Sequence, residues 1–289
     1  MCHRTRETGV LAGMSTLAYT RSGAGAPLVL LHGIGLDRRS WDPVVPALAR
    51  HFDVIAVDLP GFGDSAPNHG GPGQADPRAL AEAVAALLTE LGVTTPHLAG
   101  NSLGGWVALE LASLEPAGLG PAASLTLLSP AGLWKRHTPR YCRVSLRATR
   151  WLARRAAGPL SRLVRFRPGR VLVLGQTHGH PARLTPGYAR AAIRAMGTCP
   201  GFEATMAATA RRRFLATTPI GAPLTVAFGS RDVLLLPGQS RHLDQLPPGT
   251  TADTLPGCGH VPMADDPGAV AELITRTAAR SRCGAAPVR

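Results

Sequence analysis

Lysine is almost missing from this chain: of 31 basic residues only Lys135 is lysine, and the remaining thirty are arginine. Part of that bias reflects genomic base composition and carries no functional message. Aromatic residues make up only 4%. With so few rings to stack on bases and no recognition motif beside the charge, a nucleic-acid-binding module is excluded. No apolar run is long enough to cross a bilayer, and the opening Met1-Cys2-His3-Arg4-Thr5-Arg6-Glu7 lacks the apolar core of a secretory signal, so a cytoplasmic location is the expectation. The five cysteines, Cys2, Cys142, Cys199, Cys258 and Cys283, are odd in number, far apart and without C-x-x-C spacing. That excludes a disulfide framework and a zinc site, and free thiols are expected. No metal and no cofactor is expected.

Acidic residues are missing from one region only. From 131 to 222 the chain carries 18 Lys and Arg against the single acid Glu203, a balance of +17, whereas the remainder sums to −4 of the overall +13. The middle third is a different kind of surface. Elsewhere, a length of 289 residues and 45% hydrophobic composition suffice for a sizeable core.

Short continuous apolar runs alternate with helix-like stretches. Pro27–Leu31, Asp53–Val57, Ser124–Leu128, Pro223–Phe228 and Thr251–Leu255 read as strands, with Thr16–Thr20 as an edge strand. Ser40–Arg50, Ala79–Leu91 and Gly268–Ala279 read as helices. This alternation specifies an α/β fold: a mostly parallel central sheet flanked by helices, with ligands at the carboxyl ends of the strands. Residues 14–130 and 223–280 are expected to form this core. Residues 1–13 and 281–289 are expected to be a disordered extension and tail.

The stretch Pro96–Leu111 holds Gly100-Asn101-Ser102-Leu103-Gly104 between a strand-like and a helix-like run. A serine at a sharp strand-to-helix turn needs very small residues two positions either side, and Gly100 and Gly104 supply them. Ser102 is the candidate nucleophile. The N–H of Leu103, at the start of the helix, would meet negative charge developing on a substrate oxygen. His32-Gly33-Ile34-Gly35 follows a central strand, and its glycines Gly33 and Gly35 let the backbone approach a ligand, making the Ile34 N–H a second candidate donor. Asp232 and His260 also fall just after strand-like runs, so Ser102, Asp232 and His260 would meet at one sheet edge. Asp58 and Asp64 sit in a Gly/Pro turn and are expected to accept local hydrogen bonds. Asp265 and Asp266 read as surface groups or a helix-start charge, and His32 and His97 as structural.

Taken together, His32-Gly33-Ile34-Gly35, Asp58-Leu59-Pro60-Gly61-Phe62-Gly63-Asp64-Ser65, Gly100-Asn101-Ser102-Leu103-Gly104-Gly105, Gly229-Ser230-Arg231-Asp232 and Gly257-Cys258-Gly259-His260 resemble the α/β-hydrolase fold family from about Leu17 to Ala279. The family order of nucleophile, acid and histidine matches Ser102, Asp232 and His260. The resemblance implies a serine hydrolase of small carboxylic esters working through an acyl-enzyme. It leaves open a carbon–carbon bond hydrolase of ring-opened aromatic products, a perhydrolase or haloperoxidase-like enzyme, and a binding protein of the same fold without catalysis.

The resemblance also implies that 131–222 is a helical cap over the site. Within it Arg140, Arg143, Arg147, Arg150 and Arg154 recur at three- and four-residue spacing as one stripe, beside an apolar stripe of Tyr141, Val144, Ala148, Trp151 and Leu152. A solvated arginine face is one reading of this helix. An anionic membrane surface, an acidic partner, or steering of anionic substrates is the other.

Overall fold

The computed structural model describes residues 7–9, 17–68, 72–114 and 119–283. Eight strands, β1 Glu7–Gly9, β2 Tyr19–Gly23, β3 Ala26–Leu31, β4 Phe52–Val57, β5 His97–Asn101, β6 Ser124–Leu128, β7 Leu224–Gly229 and β8 Thr251–Leu255, form one sheet in the order β1-β2-β4-β3-β5-β6-β7-β8. β1 and β2 run antiparallel to their neighbours, and every pairing from β4 to β8 is parallel. Among the described residues the helices are α1 Val45–Leu48, α2 Pro77–Glu90, α3 Leu103–Ala112, α4 Arg140–Arg155, α5 Ala157–Leu163, α6 Arg167–Leu174, α7 Pro186–Thr198, α8 Phe202–Thr209, α9 Pro237–Ser240, α10 Pro262–Asp265 and α11 Pro267–Cys283.

The apolar runs form strands because both of their faces are covered. Along β3, Val29 and Leu31 join a core with Val84 and Trp106, while Leu28 and Leu30 join one with Trp41 and Ile274 on the opposite face. Side chains alternate across a strand, so a run apolar at every position fits only a sheet layered on both sides. α2 begins at Asp76, whose carboxylate accepts from the Ala79 N–H at 2.9 Å.

Three local expectations are corrected. Ser40–Arg50 is not one helix: it contains a short 3-10 turn, Arg38–Trp41, and the single turn α1, because Pro43 and Pro46 deny the continuous hydrogen bonding a longer helix needs. The edge strand expected at Thr16–Thr20 lies instead at Tyr19–Gly23, and it is not an edge, since β1, inside the expected extension, pairs with it. The expected tail is shortened, because α11 continues to Cys283; residues 10–16 and 284–289 lie outside the described residues.

The turn after β4 is organised by a buried ion pair. Asp58 is fully buried and accepts from the Arg38 guanidinium, from the Arg38 backbone N–H at 2.6 Å and from the Asp64 N–H at 2.9 Å. Arg38 also reaches Asp64 at 2.9 Å. These carboxylates hold the turn together and do not line the cavity that Ser102 and His260 share. Removing the Asp58 charge leaves the buried Arg38 guanidinium with only the half-exposed Asp64 carboxylate as its partner. Asp58→Asn is therefore expected to lower the unfolding free energy by about 3–5 kcal/mol in urea titration, and a loss below about 1 kcal/mol would contradict this role.

Candidate active site

Because β3, β5, β6, β7 and β8 are parallel, the loops leaving them emerge on one edge, and there the chain makes its tightest turn. Ser102 lies between β5 and α3 with φ 54° and ψ −114°, a left-handed conformation that costs a non-glycine residue roughly 1–3 kcal/mol. The backbone is fastened in that shape. The Ser102 N–H donates to the Leu128 carbonyl at 3.0 Å, and the Ser102 carbonyl accepts from Ala131 at 2.9 Å and from Gly105 at 3.0 Å. A Cβ at position 100 would collide with the Gly104 carbonyl, and one at position 104 with the Leu31 carbonyl. Only glycine lets β5 and α3 approach this closely.

The loop after β3 lies against this turn. Gly33 to Leu36 forms a β-turn closed by a 3.1 Å bond from the Leu36 N–H to the Gly33 carbonyl, with Gly35 at φ 73° in the position that demands positive φ. A Cβ on Gly33 would sit 3.2 Å from the Ser102 Cβ, so Gly33 is beside the serine, and Ile34 lines the same cavity. His32 is buried and structural. Its Nε2 accepts from the Leu59 N–H at 3.0 Å, which makes Nδ1 the donor to the Gly33 carbonyl at 2.8 Å, and burial pushes its pKa down. His97 Nδ1 pairs with the Ser124 hydroxyl at 2.8 Å, away from this edge.

Asp232 and His260 are brought together. Both are buried, and His260 Nδ1 lies 2.9 Å from Asp232 Oδ2. The other carboxylate oxygen accepts from the N–H groups of Leu234 and Leu235, each at 2.9 Å. A carboxylate bound this way can only accept, so the imidazole donates from Nδ1 and keeps its lone pair on Nε2. Burial pushes the Asp232 carboxyl up, but the His260 ring, the Leu235 N–H and the Ser129 side chain outweigh it and hold the pKa at about 2.

Ser102 and His260 line one cavity of about 450 Å³, together with Gly33, Ile34, Gly35 and Asn101. No hydrogen bond joins the Ser102 hydroxyl to the imidazole. Leu103 opens α3 next to Ser102 and is not among the cavity-lining residues. The helices between β6 and β7 roof this space with apolar side chains such as Leu146, Leu160, Leu174, Ile193 and Met196. Among the described residues no Asp, Glu, Lys or Arg lines it. Among the described residues no group of three His, Cys, Asp or Glu is arranged to hold a metal ion.

The roles of Asn101, Asp265 and His178 at this edge went unrecognised in the sequence. Asn101 is fully buried, and its Nδ2 donates to the Leu128 carbonyl at 3.0 Å and to the His260 carbonyl at 2.9 Å, tying the serine turn to the histidine loop. Asp265 is no surface group. Its carboxylate accepts from the N–H groups of Gly179 at 2.7 Å, His180 at 2.9 Å and Gly259 at 2.8 Å, so it clamps the roof to that loop. Asp266 caps α11 through the Ala269 N–H at 2.9 Å. His178 lines the cavity between Thr177 and the Tyr188 hydroxyl, and burial lowers its pKa to about 4, leaving it neutral at pH 7. The Gly179 and Gly257-Cys258-Gly259 glycines, whose backbones interlock, were the available signal for this contact.

The arginine stripe of α4 is corrected as well. Arg150 is buried, not solvated: its guanidinium donates to the Met196 carbonyl at 2.9 Å and lies over the Phe202 ring, 4.9 Å from its centroid. A cation at the C-terminal end of α7 satisfies a carbonyl that the helix leaves unpaired.

The model of the alpha/beta hydrolase family matches residues 28–273. The epoxide hydrolase EphH of Mycobacterium tuberculosis is 34% identical to the chain, over 68% of this chain and 92% of its own length. The pimeloyl-[acyl-carrier protein] methyl ester esterase of Pseudoalteromonas atlantica is 47% identical over 36% of this chain and 38% of its own. The chain thus spans about a third of the length of several curated relatives it matches. Among solved structures, a thermophilic esterase from Thermogutta terrifontis superposes with a TM-score of 0.71 at 23% identity, over 96% of this chain and 99% of that one.

The geometry of Asp232 fixes a pH dependence. A carboxyl held at about 2 rather than 3.8 stabilises the folded state fully above about pH 4, and that stabilisation is lost as pH falls through about 2. Between pH 5 and pH 2 the protein should therefore lose about 2 kcal/mol more unfolding free energy than the Asp232→Asn variant, as read by urea titration; parallel acid profiles would show that the pairing contributes nothing.

Proposed function

The chain belongs to the alpha/beta hydrolase family, and from that premise we propose that it is a serine hydrolase cleaving small carboxylic esters through an acyl-enzyme. The observation that carries this reading is the shared cavity: Ser102, on a strained turn, faces the same apolar space as His260, whose ring is oriented by Asp232. In the proposed reaction the Ser102 Oγ attacks the ester carbonyl while His260 Nε2 takes its proton. Negative charge forming on the carbonyl oxygen is met by the N–H groups of Leu103 and Ile34. The tetrahedral adduct then collapses, the alcohol leaves with the proton from His260, and an ester to Ser102 remains. Water enters, gives a proton to His260 as it attacks the acyl carbon, and the adduct collapses to the free acid while His260 returns that proton to the Ser102 Oγ. Asp232 keeps the imidazole in one tautomer and balances its charge when it is protonated.

Two features narrow the substrate. An ester to serine can be hydrolysed, but serine opening an epoxide would make an ether that water does not cleave. The nucleophile therefore favours the esterase-like relatives over the epoxide hydrolase. The cavity lining carries no charged side chain, which suits an uncharged ester with apolar acyl or alcohol parts. A carboxylate-bearing ring-opened aromatic product would find no cation there. The helices of 131–222 serve in this reading as the cap that excludes water.

Ser102→Ala should lower turnover of a short p-nitrophenyl ester by about 10⁴- to 10⁶-fold and abolish labelling by a fluorophosphonate, with thermal unfolding little changed. Ester turnover that survives the substitution, or a label that maps to another residue, would overturn the assignment.

A further inference from the structure

Among the described residues eleven large apolar side chains stand exposed, and eight of them fall between 141 and 172. Trp151 is 62% exposed, Phe166 67% and Leu172 78%. α4 explains part of this, because its amphipathic pattern is turned outward. It packs inward through Cys142, Leu146, Arg150 and Ala153, while the face bearing Tyr141, Val144, Trp151 and Leu152 meets solvent. A contiguous apolar face of this kind, left in water, marks an interaction surface. It is also continuous with the cavity, since Leu152 and Leu172 are exposed and line it at the same time.

The same segment is strongly cationic, with Glu203 from α8 pairing, among the described residues, only with Arg147 at 3.4 Å and Arg150 at 3.9 Å. From 131 to 202 the chain has no Asp or Glu. Arg154, Arg155, Arg162, Arg165 and Arg167 are exposed and alternate along the chain with the apolar side chains. Only part of the arginine content is committed to the fold. Arg150 is held as described, and Arg170 donates to the carbonyls of Val164 at 3.0 Å and Ala182 at 3.0 Å.

We infer that the outer face of α4 to α6 docks on an anionic lipid surface, with the mouth of the cavity turned toward it. Charge decides among occupants. A second copy of the chain would bring one arginine-rich face against another. An acidic soluble protein would satisfy the guanidiniums but offers no specific match to Trp151, Phe166 and Leu172. An anionic bilayer meets both needs at once, with phosphates for the arginines and the acyl boundary for the apolar side chains, in the layer that aromatic residues favour. No helix among the described residues could span that bilayer, so the attachment is peripheral. An uncharged ester dissolved in the lipid would then reach the cavity without crossing water. That last consequence rests on the proposed hydrolase activity, whereas the docking itself does not.

The test uses the full chain and vesicles of phosphatidylglycerol with phosphatidylcholine, against phosphatidylcholine alone. Cosedimentation is expected with the anionic vesicles and not with the neutral ones, weakening as salt rises from about 0.1 to 0.5 M. Of the four tryptophans, Trp41, Trp106 and Trp134 are buried, so a blue shift of emission on binding reports Trp151 alone. Trp151→Phe should abolish the shift and keep the binding. Arg162→Gln with Arg165→Gln should lower partitioning about 25-fold, and Phe166→Ser should lower it too, both with turnover of a water-soluble ester unchanged. Equal binding to both vesicle types, no binding, binding without the emission shift, or binding undiminished by the arginine substitutions would each overturn the proposal. Ser102→Ala should bind vesicles as the unaltered chain does. Binding by the unaltered chain with no ester turnover would therefore overturn the hydrolase reading alone, and turnover by the unaltered chain without binding would overturn the docking alone.

Discussion

The separation between β5 and α3 governs everything at the sheet edge. The chain has to reverse from strand to helix within a single residue, and it does so at Ser102 with φ 54°. That residue stays in a costly conformation because the surroundings leave it no other. Its N–H and carbonyl are engaged by Leu128, Ala131 and Gly105, and the glycines at 100 and 104 bring carbonyl oxygens where any side chain would strike them. The strain is offset by two buried cores, one on each face of the sheet, whose close packing does not give way around one residue.

A turn held this rigidly is useful only if its partners are held to the same tolerance. Here two polar side chains carry that constraint between elements far apart in sequence. Asn101 sits next to the serine and grips the backbone of His260, while Asp265 grips the backbone on both sides of the contact between roof and histidine loop. Both act on main-chain groups, which have no rotamers to lose. The imidazole is thus located by its own peptide carbonyl as well as by Asp232, and a shift of the roof helices would be felt at residues 257–261 through Gly179.

Most of the sheet was legible because a strand covered on both faces has a simple signature, an apolar residue at nearly every position. Ser124–Leu128 falls where its run predicts it and is buried throughout, whereas Thr251–Leu255, mostly exposed at the end of the sheet, was marked only by its place before a glycine turn. Ser102, Asp232 and His260 were legible through their places just after strands and the glycines around them. What stayed hidden depends on contacts that no local pattern encodes. Asp265 looks like any carboxylate near a helix start until two N–H groups from the distant Gly179-His180 and one from the nearby Gly259 converge on it. Arg150 fits a regular arginine stripe, and only the end of α7 arriving against it makes it a buried cation. In Ser40–Arg50 the apolar spacing favoured a helix and the paired prolines prevented it, a local conflict in which missing N–H donors outweigh side-chain periodicity.

Charge is distributed in a way that hydration alone would not select. The segment over the cavity carries the densest positive charge in the chain, yet among the described residues no Asp, Glu, Lys or Arg lines the cavity it covers. Arginine permits the arrangement, since its aliphatic stem can lie along apolar surface while the guanidinium reaches a carbonyl, a ring or water. Arg150 and Arg170 use it inward, against helix ends and a phenyl ring. The exposed arginines keep their charge outside, where its field extends over roughly a Debye length without entering the binding space. Selection by the cavity therefore rests on shape and apolarity, and any preference for anions belongs to the outer surface.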